Sequence, residues 1–132
     1  MTPDDILAQL PNGMHDASIR EMRVEFGRKL VALDMDFWVG DLDSEDEEKR
    51  EEYRAGRLLL TGVAAIVVEP PDPADRGSHF SPDDGLDVHG EFGTYPGDAP
   101  AADDGLVRLW FYVENWNRRM MFTARKCSLE WA

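Results

Sequence analysis

Alternating apolar positions are the clearest pattern in this chain, and they predict β-strands. Between Val31 and Val39 apolar residues occupy every second position, with two aspartates between them. A period of two is typical of a strand that buries one face. The preceding run from Ala17 to Phe26 has the same period, with one change of parity near Arg20. One extra residue there, a β-bulge, would bring all of its apolar side chains to one face.

A hairpin turn joins these two predicted strands. The dipeptide Gly27-Arg28 lies between them, and a glycine in the first position favours a two-residue turn of type II′. This turn places Met22 opposite Leu33 and Val24 opposite Val31. Both strands then bury the same face, so their register is the best-defined feature of the predicted sheet.

Capping and helix-breaking residues mark two predicted helices. Pro3 begins a short N-terminal helix that ends before Pro11, since proline suits the first helical position. Ser44 and Glu47 form a capping-box pattern, which predicts a second, acidic helix over about 45–55. This helix has almost no apolar face, so we expect it to lie in solvent across a connection.

Four further strands follow from the remaining apolar runs. Residues 58–68 carry apolar side chains at both odd and even positions, which predicts a strand covered on both faces. Shorter strands are predicted over 88–95 and 107–113. The last run, 118–131, fits both helical spacing and a strand that returns from a polar turn; we favour the strand, with a bulge near Arg125-Lys126.

These elements predict a mainly β protein. We expect an antiparallel β-sandwich or a strongly curved sheet of about six strands, with a short N-terminal helix and one inserted acidic helix. Residues 1–132 form a single predicted domain. It carries an acidic helix insertion at 41–56 and an acidic region rich in Pro, Gly and Asp at 70–104, where we expect mobile loops on either side of a short edge strand.

The negative charge lies mainly in the polar segments. Segments 41–52 and 69–104 hold eighteen acidic and three basic side chains, whereas the rest of the chain is slightly positive and the net charge is −13. Such a surface repels nucleic acid and anionic lipid and favours a basic protein partner. No stretch approaches the ~20 apolar residues of a membrane span. The single Cys127 lacks a disulfide or zinc partner in the sequence, and we expect a cytoplasmic protein.

The densest group of acidic residues is the candidate partner-binding site. Its carboxylates would steer a cationic surface into contact and raise the association rate in a salt-dependent way. The same charge also serves solubility, and both interpretations stay open. The residues are Asp41, Asp43, Glu45, Asp46, Glu47, Glu48, Glu51 and Glu52.

Exposed aromatic side chains form a second candidate site. Aromatic faces suit the stacking of a sugar or another small ligand, although they also serve as packing between layers. The candidates are Trp38, Trp110, Tyr112 and Trp116.

Two aspartates on one strand face are the candidate metal ligands. Asp34 and Asp36 offer the carboxylate oxygens that hard cations prefer. Arg20 and Arg23 on the neighbouring strand could neutralise them instead. The sequence contains no EF-hand pattern, so we predict no metal site apart from this weak candidate.

The histidines do not form a catalytic motif in the sequence. His15 and Asp16 are adjacent, and adjacent strand residues point to opposite faces, so we do not expect them to pair. His79 and His89 lack metal-binding spacing, and we expect them at the surface. We therefore predict no catalytic residue and no cofactor.

Four short segments carry a resemblance to known proteins. They are Leu10–Ala17, Phe37–Asp41, Tyr53–Arg57 and Val68–Asp72, followed by a Trp- and Asn-rich final hairpin. The chain resembles small bacterial uncharacterised proteins in which a hydrophobic-His-Asp-Ala start precedes a β-hairpin. Some of these look like immunity proteins of polymorphic toxin systems. The resemblance implies an interaction protein rather than an enzyme and transfers no catalytic residue.

The sequence therefore favours a non-enzymatic cytosolic protein-binding module that engages a basic partner, with immunity-type inhibition as its specific form. The alternative is a small-ligand or carbohydrate-binding β domain that uses the exposed aromatic residues. A metal-dependent enzyme built on Asp34 and Asp36 is the third hypothesis. Exposed strand edges would also allow a homodimer.

Overall fold

Six antiparallel strands close into a barrel in the computed structural model, which describes residues 1–72, 85–101 and 103–132. In chain order the elements are α1 (Pro3–Leu7), β1 (Met14–Glu25), β2 (Leu30–Trp38), α2 (Glu47–Arg50), β3 (Tyr53–Val68), β4 (Leu86–Phe92), β5 (Val107–Val113) and β6 (Arg118–Trp131). Around the barrel the order is β1-β2-β3-β6-β5-β4. His79 and part of the predicted mobile loops lie outside the described residues.

Strand β4 closes the barrel because it pairs along both of its edges. Gly90 of β4 lies opposite Phe111 of β5 and opposite Met14 of β1. The predicted mainly β, antiparallel, six-strand fold with a short N-terminal helix is confirmed. Of the two predicted arrangements the strongly curved sheet is the nearer one, because the sheet curves until its end strands pair. It does not fold into two layers, so the predicted sandwich and the predicted edge position of β4 are wrong.

The β1–β2 hairpin has the predicted register. Met22 pairs with Leu33 and Val24 with Val31, and the register shifts between Ile19 and Glu21, where the bulge was predicted. The predicted type II′ turn is wrong. That turn needs a left-handed Gly27, whereas Lys29 adopts the left-handed conformation with φ of 49°.

The acidic helix is much shorter than predicted. Helix α2 contains four residues, and Asp46 rather than Ser44 caps it. The backbone N–H of Val39 donates to the carbonyl oxygen of Glu52, and Trp38 pairs with Tyr53. The β2–β3 ladder therefore holds the chain extended from this point and ends the predicted helix early.

Strand β3 is covered along only part of its length. Its first part pairs with β2 and β6, and the last β2 pair is Leu30 with Thr61. Beyond Val63, whose N–H donates to the carbonyl oxygen of Lys29, β6 is its one strand partner among the described residues, and both of its faces are exposed from residue 64 to residue 68. The prediction of a strand covered on both faces is therefore wrong for this second part.

The final run is a strand, as favoured from the sequence. Burial in β6 follows even positions up to Ala124 and odd positions from Cys127, with Arg125-Lys126 exposed between them. The change of face falls at the predicted place. Gly62 of the neighbouring strand β3 is left-handed there, with φ of 61°, so both strands bend together at one corner of the barrel.

The core fills the inside of the barrel with side chains from all six strands. Its largest fully buried members include Phe37, Phe111 and Phe122, and Ile6 of α1 joins the same cluster. Cys127 also belongs to it, and burial raises the pKa of its thiol to about 12. A thiol held in this protonated, buried state packs as a small apolar side chain, as predicted.

Candidate functional site

An exposed acidic loop connects β2 to β3. This acidic loop comprises residues 41–52, includes α2, and contains all eight acidic residues of the predicted partner-binding site. All eight are exposed. Within the described parts of the chain, none of their carboxylates forms an ion pair with a lysine, arginine or histidine. The loop also contains Lys49 and Arg50, so it presents an excess of negative charge in which no carboxylate is paired with a cation of the described chain.

The barrel holds the acidic loop in a fixed position. The indole N–H of Trp38 donates to the carbonyl oxygen of Arg50 at 2.7 Å. The side-chain amide of Asn12 donates to the carbonyl oxygens of Trp38 and Gly40 at 3.2 and 2.9 Å. A Cβ atom at Gly40 would lie 1.8 Å from the carbonyl oxygen of Arg50, so the close approach requires glycine. The loop is thus anchored at both ends.

Two large apolar side chains are exposed beside this charge. Leu42 in the acidic loop is 66% exposed, and Tyr53 at the start of β3 is 50% exposed. Partial burial, followed by the negative charges of Asp16, Asp87 and Glu51, raises the pKa of the Tyr53 hydroxyl. The surface therefore combines carboxylates with apolar groups that lack cover.

A row of five rings crosses the outer surface of the barrel next to the acidic loop. We call Trp38, His15, His89, Trp110 and Tyr95 the aromatic belt. The ring centroid of His15 lies 6.5 Å from that of Trp38 and 5.1 Å from that of His89. The centroid of Trp110 lies 5.7 Å from that of His89 and 4.9 Å from that of Tyr95. All contacts are edge-on, which is a favourable geometry for aromatic rings.

His15 and Asp16 do pair, against the sequence prediction. His15 Nδ1 lies 3.1 Å from Asp16 Oδ2. Asp16 is left-handed, with φ of 52°, and the register between β1 and β4 shifts between Met14 and Ala17. This bulge breaks the alternation of side chains, so the two neighbours can meet on one side of the strand.

His89 was missed as a member of this group. It was predicted at the surface without a role in a site, but on β4 it contacts His15 and Trp110, and its Nε2 lies 3.4 Å from Glu91 Oε1. Its Nδ1 is buried and has no hydrogen-bond partner among the described residues. The alternation of Val88, Gly90 and Phe92 places His89 on the opposite, outer face, but its contact with His15 depends on the long-range β1–β4 pairing.

A surface cavity of about 430 Å³ opens beside the two histidines. Its walls include Asn12, His15, His89 and Glu91 together with the apolar Leu7 and Phe92. The cavity offers a polar side and an apolar side, as small-ligand sites do.

The four predicted ligand-binding aromatic residues do not form one platform. Trp38 and Trp110 lie in the aromatic belt, but Trp110 is only 6% exposed. Tyr112 donates its hydroxyl hydrogen to Asn117 Oδ1 instead. Trp116 packs against the core cluster. Only two of the four candidates therefore share one site, with histidines between them.

The predicted metal ligands have arginine partners. Asp34 Oδ1 lies 2.7 Å from Arg57 Nε, and Asp36 Oδ2 lies 3.2 Å from Arg20 Nε. The hydrogen bond from Arg57 lowers the pKa of the Asp34 carboxyl. Arg57 takes the place predicted for Arg23. In the described residues no group of three or more His, Cys, Asp or Glu side chains is arranged to hold a metal ion.

Comparison with protein-family models, curated proteins and solved structures gave no match to this chain. Among the helices of the described residues, none has the length and apolar character needed to cross a bilayer.

Proposed function

We propose that this protein is a non-enzymatic binding protein whose acidic loop engages a basic protein partner. The observation that carries this proposal is the number of carboxylates without an ion-pair partner that the loop gathers in one short segment. Outside the loop, several carboxylates pair with arginines, as Asp104 does with Arg108 at 2.7 Å, and those without a partner are scattered. The loop carboxylates have no such partner in the described structure. A partner's lysines and arginines would supply the missing cations.

Apolar groups beside the charge favour an interface over a purely solubilising surface. Solubility requires charge but gains nothing from an exposed leucine or tyrosine. Interfaces typically place apolar anchors inside a polar rim. Leu42 and Tyr53 are exposed within and next to the acidic loop, so they would serve as such anchors.

The loop acts in this proposal mainly through long-range attraction. A net charge of −13 attracts a cationic protein before contact and raises the association rate, and added salt screens this attraction. Because Trp38 and Asn12 already hold the loop, little conformational entropy is lost on binding. The resemblance to immunity proteins gives the binding a specific form, inhibition of a basic toxin by covering its cationic surface. We place this action in the cytoplasm.

The test compares two variants of equal net charge. In the loop variant Glu47, Glu48, Glu51 and Glu52 become glutamine. In the control variant four exposed acidic residues outside the loop become amides: Glu21→Gln, Asp103→Asn, Glu114→Gln and Glu130→Gln. Tagged wild-type protein captures partners from an extract of its native cells at low and moderate salt, and the captured protein is then purified and titrated with each variant.

We expect the purified partner to be basic, to bind the wild type and the control variant, and to lose affinity for the loop variant. Binding should also weaken as salt is raised. Leu42→Ser should weaken binding without changing its salt dependence, because it removes an apolar anchor and no charge. Equal loss of binding in the loop and control variants would contradict the proposal, since net charge alone would then explain the interaction.

A second candidate function is binding of a small ligand at the aromatic belt. The observation that favours it is the buried Nδ1 of His89, which has no hydrogen-bond partner among the described residues, at a cavity of about 430 Å³. A ligand hydroxyl could satisfy this nitrogen while the apolar face of the ligand contacts Leu7 and Phe92 of the cavity wall. A sugar or a similar small polyhydroxylated molecule fits this chemistry.

Tryptophan fluorescence tests this second function. Titration with a panel of sugars should quench the emission of the wild type and of Trp116→Phe, which lies outside the aromatic belt. Trp110→Phe should lose part of the response, because the Trp110 ring lies 5.7 Å from His89 at the cavity. A panel that changes the emission of none of the three proteins, or changes all three alike, would contradict ligand binding at the belt.

A further inference from the structure

Among the described residues, the second part of β3 has one open edge. The N–H of Glu69 donates to the carbonyl oxygen of Arg119, so the backbone of Glu69 faces β6. Backbone groups in an antiparallel ladder alternate in direction. Val67 therefore also faces β6, whereas the N–H and C=O groups of Ile66 and Val68 point away from it. On that side, the last backbone hydrogen bond of β3 within the described chain is at Val63, whose N–H donates to the carbonyl oxygen of Lys29.

This edge lacks the usual protection against pairing with another strand. Edge strands are commonly guarded by a lysine, a proline or an inward-pointing charge. Residues 64–68 read Ala-Ala-Ile-Val-Val and contain none of these. Ile66, Val67 and Val68 are 36%, 41% and 39% exposed and form the longest consecutive run among the exposed large hydrophobic residues of the described chain. Phe26 on the neighbouring hairpin is 85% exposed.

We propose that β3 pairs with β3 of a second copy of this chain, antiparallel and centred on Val67, and so forms a two-fold symmetric dimer. This register pairs Ile66 of each copy with Val68 of the other, so it uses both outward-facing residues of each edge. Pro70 and Pro71 end the available strand on one side, and the β1–β2 hairpin ends it on the other. A second copy supplies a segment of matching length.

Charge complementarity also favours a second copy as the occupant. The open edge runs from the hairpin tip, with Arg28 and Lys29, to Glu69. Arg28 lies 3.4 Å from Glu25 of its own hairpin, whereas Lys29 has no ion-pair partner in the described structure. Antiparallel pairing brings Glu69 of each copy toward Lys29 of the other. Glu69 Oε1 also lies 3.5 Å from Arg119 Nε in its own chain. The acidic end of the edge therefore contains both signs of charge, which reduces its repulsion of a second acidic chain.

Salt separates this proposal from the proposed function. Each copy carries a net charge of −13, so the two copies repel each other at long range. Screening by added salt should therefore strengthen the dimer, whereas it should weaken binding of a basic partner to the acidic loop. Failure of one proposal leaves the other standing.

Cross-linking through single cysteines tests the register. Val67 would face Val67 of the other copy as a non-hydrogen-bonded pair, in which Cα atoms lie about 4.5 Å apart, within the range of a disulfide. The side chain of Ala65 lies on the same face of the strand as that of Val67. In this register, however, Ala65 of one copy lies opposite Glu69 of the other, so the two Ala65 residues are four positions, or about 13 Å, apart. The native Cys127 is buried and serves as the background in the unmodified chain.

We expect sedimentation of the wild type to show a monomer–dimer equilibrium that shifts toward dimer with concentration and with salt. Under mild oxidation Val67→Cys should become a disulfide-linked dimer, whereas Ala65→Cys and the wild type should not. Equal cross-linking of the two cysteine variants would overturn the proposed pairing. A wild type that stays monomeric at every concentration and salt would overturn the dimer, and an unreactive introduced thiol in the Val67→Cys variant would then show that the edge is covered within one chain.

Discussion

The two parts of β3 have similar apolar sequences and opposite surroundings. Leu58 and Leu60 lie between β2 and β6 and are almost completely buried. Among the described strands, Ile66, Val67 and Val68 pair with β6 alone, and they remain more than a third exposed. The hydrophobicity of the run is therefore not sufficient to make it core, and a second neighbouring strand is also needed. An apolar segment left with one neighbour retains the capacity to bind another strand.

Truncation of one apolar residue in each part should give the largest difference. Leu60→Ala removes a side chain that is 1% exposed and leaves a cavity, which costs about 2–5 kcal/mol in similar substitutions. Val67→Ala removes an exposed group and should cost less than about 1 kcal/mol. Chemical denaturation at low protein concentration, where any dimer dissociates, measures both free energies of unfolding. Equal losses of unfolding free energy in the two variants would contradict this difference and show that the second part of β3 is also core.

The bend between the two parts should have an intermediate effect. Gly62 is left-handed with φ of 61°, and a Cβ atom there would lie 2.9 Å from Cβ of Arg125. Gly62→Ala should therefore destabilise the protein by roughly 1–2 kcal/mol, the cost of a left-handed backbone with a side chain. Gly27→Ala is the control, because a Cβ atom at Gly27 meets nothing within 4 Å. Thermal melting of both variants should show a clear loss only for Gly62→Ala; similar melting temperatures would mean that the bend is not strained.

Local patterns were sufficient to predict the β1–β2 hairpin and its bulge. Alternation on both strands fixes which face is buried, and the parity change near Arg20 fixes where the extra residue lies. The same patterns could not predict closure of the barrel, because β1 meets β4 across a long stretch of sequence and β4 is short. The exposure of residues 66–68 was missed for a related reason: β2 begins only at Leu30, so its ladder with β3 stops at Thr61, and the sequence of β3 contains no sign of that.

The sequence predicted the part of the candidate site that depends on charge, but not the parts that depend on which strands pair. The acidic loop follows directly from the run of carboxylates after β2. Its helix was overestimated because the Trp38–Tyr53 pair, which ends it, joins two different strands. The His15–His89 contact needs the β1–β4 pairing, and the His15–Asp16 contact needs a left-handed aspartate that sequence alternation argues against.

The smallest expected effect concerns the ion pair that joins the partnered part of β3 to β2. Asp34 lies opposite Arg57, and the hydrogen bond from Arg57 lowers the pKa of the Asp34 carboxyl. A carboxyl with a lowered pKa stabilises the folded state above its ordinary pKa of about 3.9, and this contribution disappears as pH falls through the folded-state value. Both side chains are partly exposed, so solvent screening keeps the contribution small.

Asp34→Asn should therefore lower the melting temperature slightly at neutral pH, and the difference from the wild type should shrink toward zero in strong acid. Asp43→Asn, which removes a carboxylate of the acidic loop without an ion-pair partner in the described structure, controls for the loss of one negative charge. A difference between wild type and Asp34→Asn that persists unchanged below the ordinary aspartate pKa would show that Asp34 acts through packing or neutral hydrogen bonds. The charge of Asp34 would then add nothing to the partnered part of β3, and the difference between the two parts would rest on packing and hydrogen bonding to the neighbouring strands.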